Sequence, residues 1–331
     1  MNQSIPDQIA DLPFEQLNSA EGLHALDDAF MSLLQSCNTA LFQQLQSYRL
    51  QETSFSDIEH SEFLLALAPH IEDFICERFD IGKSTDNVRA KVIGEQQVNL
   101  FKKQFIQRRS RRYRGELDTS FNELDAWLNR QIDDIEDREL AIARYAVSLL
   151  EDKEQYADEI NRLTQWVIHI RNHDCAPDIL ANWVSFKLPE LIDYANLVPL
   201  EAVDNDTIGR CQCNPLEHVR RDGFDLTDKR MNHRQIMSEV NYCIYCHDHD
   251  GDFCSRGFPE NKKDPESGFR VNPLGEILTG CPLGEKVSEM HLLKKDGLNI
   301  AALAMATRDN PMLPATGHRI CNDCMKACVY Q

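Results

Sequence analysis

Seven cysteines near the C-terminal end of this 331-residue chain constrain its fold more than any other feature. They read Cys243-x2-Cys246-x7-Cys254, then Cys281 followed directly by Pro282, then Cys321-x2-Cys324-x3-Cys328. A C-x-x-C pair lets two thiolates reach one metal or cluster from a single tight turn. A third cysteine of the same loop, plus one from a distant segment, completes four-fold ligation. Two such pairs can also build a four-thiolate zinc site. Zinc needs only four ligands, however, and leaves Cys254, Cys281 and Cys328 without a role. Seven patterned thiols suit two sites better than one, and the Cys281-Pro282 step recurs in ferredoxin-type motifs, so the pattern favours iron–sulfur.

The first of these groups is interleaved with His247, Asp248, His249, Asp250 and Asp252. A calcium reading of these acids fails on spacing. Counted from Asp248, the glycine falls fourth instead of sixth, and Pro259 stands where an EF-hand has its closing glutamate. His247 and His249 read as polar loop residues.

Composition restricts the rest. With 54 acidic and 35 basic residues the net charge is -19, which argues against a nucleic-acid binder. One local exception, Phe101 to Arg114, carries seven Lys or Arg and no acid. It reads as a solvated helix face answering the acidic segment that follows, or as a docking patch at Lys102–Arg114 for an acidic protein partner. No apolar run reaches membrane-spanning length, and the acidic N-terminus lacks the layout of a secretory signal. The expected location is cytoplasmic, where cysteine is seldom spent on disulfides.

Residues 1–200 read as an all-helical domain, the first part of an all-α chain. Gly22 to Leu50 repeats apolar residues at Leu23, Leu26, Phe30, Leu33, Leu34, Leu41 and Leu45, the spacing of one helical face. The stretch from Ser61 repeats the pattern and is interrupted by Pro69. Ser84, Thr85 or Asp86 is the expected N-cap of the next helix. Asp137 to Arg171 predicts one long helix. Asp178 to Leu197 follows Pro177 and breaks at Pro189. Cys37 and Cys76 read as ordinary small apolar residues. Cys175, near His169 and His173, reads as a loop residue before Pro177. Turn formers take over after Leu200, which places a boundary near residues 195–215. That leaves a connecting segment at 201–241 and a cysteine domain at 242–331.

From Tyr242 to Gln331 the sequence resembles the N-terminal cluster domain of the glutamate synthase small subunit, also found in dihydropyrimidine dehydrogenase and related NADPH-linked flavoenzymes. The resemblance is carried by Cys243, Cys246 and Cys254, Gly280-Cys281-Pro282, the Asn310-Pro311 turn, Thr316-Gly317-His318-Arg319, and the closing Cys321, Cys324 and Cys328. It implies an α-helical ferredoxin fold holding two 4Fe–4S clusters. Cys243, Cys246, Cys254 and Cys328 would hold one. Cys281, Cys321 and Cys324 would hold the other, which is left one ligand short, with Cys211 and Cys213 as alternatives. The chain departs from the family in its insertion between Cys254 and Cys281, a polar surface excursion, and in its helical first 200 residues.

In that family the cluster domain relays electrons beside an FAD- and NAD(P)H-binding module. The Gly-rich fingerprint of such a module is absent from this sequence. The resemblance therefore implies the front part of a longer oxidoreductase, or a separate electron-transfer subunit, with FAD and NAD(P)H bound by a downstream or partner domain. Backbone amides near Gly280–Gly284 and the Thr316–Arg319 turn are the expected tuners of the clusters. The competing expectation is a zinc-stabilised helical scaffold without redox activity.

Overall fold

The structure is a computed structural model that describes residues 13–133, 136–173, 175–189, 192–198, 200–213, 223–224, 230–249, 251–317 and 321–330. It is all-α apart from a two-stranded antiparallel hairpin, β1 (Glu201–Ala202) with β2 (Cys211–Gln212), and isolated bridges. Among the described residues, no helix is long and apolar enough to cross a membrane.

The first apolar stretch divides into α1 (Ala20–Cys37) and α2 (Thr39–Arg49). The break is Asn38, whose side chain accepts the Leu41 amide at 3.1 Å and so starts a new helix. Leu23, placed on the buried face by its spacing, is 54% exposed. Helix α3 (Asp57–Arg78) opens on a reciprocal Ser56/Glu59 capping box and, contrary to the sequence reading, runs straight through Pro69. Proline there forgoes one backbone hydrogen bond. Buried Leu64, Leu67 and Ala68 before it and Phe74 after it anchor both halves.

Helix α4 begins at Gly82, ahead of the expected caps, with Ile81 as N-cap and no side-chain cap. It runs to Phe101, continues as a π-helix over Lys102–Arg109 and closes with an α-turn at Ser110–Arg112. After α5 (Phe121–Asn129), the expected single long helix is two, α6 (Arg138–Ser148) and α7 (Ala157–His173). Between them the Asp152 carboxylate accepts the amides of Glu154 and Gln155, a local turn that outcompetes helix continuation. A short α8 (Pro177–Asn182) follows. The cysteine-rich part contributes α9 (His233–Val240), α10 (Phe253–Arg256), α11 (Val287–Lys295), α12 (Asn299–Asp309), α13 (Leu313–Thr316) and α14 (Asp323–Lys326).

Beside one small cluster, Val92 of α4 with Met237 and Val240 of α9, the buried apolar residues among those described form two large cores. One joins the end of α4 to α5, α6 and α7 around Phe105, Leu128, Leu163 and Trp166. The other joins α1, α2 and α3 to Leu293 of α11 and Ala301, Ala302 and Met305 of α12. Helices from the two ends of the chain thus share a core.

Ion pairs fasten α9 to α4 and α6. Arg234 on α9 meets Glu95 of α4 at 2.7 Å, Asp137 at 2.5 Å and Glu139 of α6 at 3.1 Å. The Arg234 guanidinium holds the Asp137 carboxyl below the usual carboxylate range, against the effect of burial. A carboxylate depressed in the folded state stabilises it above its unfolded pKa of about 3.9, and that contribution fades as pH falls through the folded value. Arg234→Met is expected to cost about 2–3 kcal/mol at pH 7, the range for hydrogen bonds to charged groups, with Asp137 discounted for its exposure. The gap between the two proteins should narrow below about pH 4. Urea melts at pH 7 and pH 3.5 check this; an equal gap at both values refutes it.

Candidate cysteine site

The first thiol group is built by a sharp chain reversal. Cys243 follows α9, and Tyr245 enters the left-handed region at φ 51°. That turn aims the Tyr245 amide at the Cys243 sulfur, 3.4 Å away. Cys246 begins a 3₁₀ turn to His249 and is buried, with its carbonyl held by the Gly251 amide. Asp252, also left-handed at φ 44°, redirects the chain into α10, which carries Cys254.

The insertion after Cys254 leaves from and returns to one point. Phe258 N–H donates to Leu278 O, and Cys281 N–H donates to Cys254 O at 2.8 Å. Gly257 and Gly280, both at positive φ, allow the stems to touch. A Cβ on Gly280 would collide with the Gly257 nitrogen, and one on Gly257 would stand 2.6 Å from the Leu278 carbonyl oxygen. The excursion therefore leaves Cys254 and Cys281 side by side.

The chain end then closes on the first loop, because α14 packs against α10. The Cys254 and Cys328 thiols hydrogen-bond to each other. Cys254 holds the proton and is pushed up, whereas Cys328, accepting that bond and the Val329 and Tyr330 amides, is lowered to about 6. Burial raises Cys243, and the charges of Cys246 and Cys328 add to it. Burial likewise raises Cys246, with Asp252 and Cys328 contributing. These four thiols share one electrostatic neighbourhood. A second group lies beside it. Burial pushes Cys324 up to about 11, and Glu285, Cys281 and Cys321 act in the same direction. Cys254 in turn feels Cys324, so the two groups adjoin. Among the described residues, no set of three His, Cys, Asp or Glu converges on a point suited to a single metal ion.

The remaining cysteines stand apart. Cys37 is exposed, contrary to the apolar reading, with its sulfur 3.8 Å from His70 Nδ1. Cys76 contacts the Thr85 hydroxyl, and Cys175 donates to the His169 carbonyl. Cys211 is exposed on β2, and among the described residues no interaction links Cys211 or Cys213 to the seven. Of the expected tuning groups, His318 and Arg319 lie outside the described residues, as does Asp250 of the acidic loop. Amides that do meet the sulfurs come from the cysteine loops themselves: Tyr245, Phe253, Val329 and Tyr330.

A buried polar layer backs the first group. Lys286 Nζ meets Asp252 at 2.8 Å, Glu289 at 3.6 Å and the Ser61 hydroxyl of α3 at 3.3 Å. His247, expected as a loop residue, is buried with Nδ1 on the Ser288 hydroxyl, whereas His249 is exposed. Sequence reasoning missed Ser61, Lys286 and Glu289. Nothing in their local pattern separates them from surface polar residues.

Thiol donors with amide N–H groups aimed at their sulfurs fit a thiolate-bound cluster. Burial is the main reason that Cys243, Cys246 and Cys324 are raised, and the neighbouring thiols act in the same direction.

A family model described as the RP005 N-terminal alpha-helical domain matches residues 9–80, the region of α1 to α3. The chain is also similar to a protein of Rickettsia prowazekii (strain Madrid E) named "Uncharacterized protein RP005". The two are 28% identical over 311 residues, covering 86% of this chain and 96% of the Rickettsia protein. No solved structure matches the chain.

Proposed function

We propose that this chain is the iron–sulfur electron-transfer region of a larger FAD- and NAD(P)H-dependent oxidoreductase. Cys243, Cys246, Cys254 and Cys328 hold one 4Fe–4S cluster, and Cys281, Cys321 and Cys324 supply ligands to a second. One observation supports the reading: Cys243, Cys246, Cys254 and Cys328 act on one another, Cys281 and Cys321 act on Cys324, and the two groups adjoin through Cys254 and Cys324, although they interleave along the sequence.

When bound, such clusters supply one-electron transfer. The chain's own residues set the conditions. The Tyr245, Phe253, Val329 and Tyr330 amides stabilise negative charge on sulfur, and the loops around Cys246 and Cys254 limit water. Glu285 is the carboxylate beside the three-thiol set. A flavin-binding domain, in cis or as a subunit, supplies the electrons. Exposed Arg108, Arg111, Arg112 and Arg114 offer an acidic partner a docking face.

Anaerobic purification tests this. The protein is expected to be brown, with a broad visible band that dithionite bleaches and about eight irons per chain. A colourless protein holding stoichiometric zinc overturns it.

A further inference from the structure

A cavity of about 540 Å³ opens beside Cys243, at the seam between α4 and the first cysteine loop. Its size lies within the range of small-molecule sites. Three lysines and three tyrosines line it: Lys102, Lys103, Lys295, Tyr242, Tyr245 and Tyr330.

Lys102 is the unusual member. It is 5% exposed, and its ammonium donates only to neutral acceptors, the Val184 carbonyl at 3.2 Å and the Ser238 hydroxyl at 3.1 Å. Among the described residues no carboxylate forms an ion pair with it. Glu239 and Glu139 act on it only from beyond ion-pair distance, and a buried cation without a contacting counter-ion costs roughly several kcal/mol, so a chain seldom keeps one without use. The backbone that places it is equally uncommon. Lys102 opens the π-helical segment, where the Ser110 amide reaches back to Phe105 O, and π-turns occur frequently at functional sites.

The other walls supply aromatic faces. The Lys102 ammonium lies 5.4 Å from the Tyr242 ring centre, and Lys295 lies 4.8 Å from that of Tyr245. Tyr242 and Tyr330 meet edge to face at 5.3 Å. The Tyr242 hydroxyl is buried and has no hydrogen-bond partner among the described residues.

We infer that this cavity binds a small planar aromatic ligand carrying an anionic group, the chemistry of a mononucleotide. Its anion supplies the contacting negative charge that Lys102 lacks, with Lys103 and Lys295 at the rim, and its ring stacks on the tyrosines. The site adjoins the proposed cluster but does not depend on it.

Calorimetric titration of the full chain with flavin mononucleotide tests the inference. Riboflavin, which has the ring without the phosphate, and inorganic phosphate serve as comparators. Flavin mononucleotide is expected to bind one per chain, and each comparator at least about tenfold more weakly, as loss of a charged hydrogen bond implies. Lys103→Met with Lys295→Met, both at the rim, should weaken the nucleotide by about the same factor while the thermal midpoint stays unchanged. Three results overturn the inference: no saturable heat from folded protein, equal affinity in the double variant, or binding of a single-stranded oligonucleotide but not of the mononucleotide. A zinc-containing, colourless chain that still binds flavin mononucleotide would refute the cluster and leave this site standing.

Discussion

Serine in place of Cys246 is expected to lower the iron content from about eight to about four per chain, with half the visible absorption lost. The reasoning is local. Cys246 is buried, and its charge is felt at Cys243 and Cys254, so it lies within the four-thiol set. A serine hydroxyl fills nearly the same space but gives up a soft thiolate for a hard, poorly ionised oxygen. The second set should survive, because among the described residues Cys246 makes no backbone hydrogen bond to it. Cys254 is a poorer choice for this test, since its carbonyl holds the Cys281 amide and the change could reach both sets. Cys37→Ser provides the control. Cys37 is exposed at the end of α1, next to His70 and to no other thiol, and its loss should leave the iron count unchanged. Full iron retention by Cys246→Ser, or equal loss in both variants, would refute the assignment.

Spacing made the helices legible, but neither their ends nor their partners. A 3.6-residue period identifies a buried face, and α1, α3 and α7 carry it plainly. Period says nothing about where a helix stops. Asn38 stops a helix with one side-chain hydrogen bond and Asp152 with two, inside stretches whose apolar pattern continues. Period also says nothing about the partner of a face. Leu34 and Phe63 look alike whether they pack on their own neighbours or, as they do, in a core with Ala301 and Met305 of α12. The resemblance implies the division of the thiols between two clusters, and the seven-cysteine motif itself was readable. The layer behind it was not. Lys286, Glu289 and Ser61 become a buried network only when α3 meets α11, and no local sequence marks that meeting.

Glu72→Ala is expected to be the most destabilising single change outside the cysteines, about 3–5 kcal/mol, the range for breaking a buried charge pair. Glu72 is fully buried on α3. One carboxylate oxygen accepts Arg89 of α4 at 2.9 Å. The other accepts the amides of Ile300 and Ala301, both at 3.0 Å. Those amides are the first-turn donors of α12, a helix that has no side-chain cap of its own. A residue more than two hundred positions away therefore caps it, and its negative charge opposes the positive end of the helix dipole. Alanine would orphan both amides and leave a cavity where α3, α4 and α12 meet. Arg89 can turn to solvent, since about a third of its side chain is exposed, so Arg89→Ala should cost clearly less. Glu72→Gln keeps an acceptor for the amides but loses the charge, and should fall between the two. Thermal unfolding of the three variants gives the ranking, with Glu72→Ala lowest by about 10 °C. A midpoint for Glu72→Ala within about 2 °C of the parent would mean that α12 does not need this carboxylate, and that the shared apolar core and the contacts of Ser61 with Lys286 and Glu289 suffice to join the two ends of the chain.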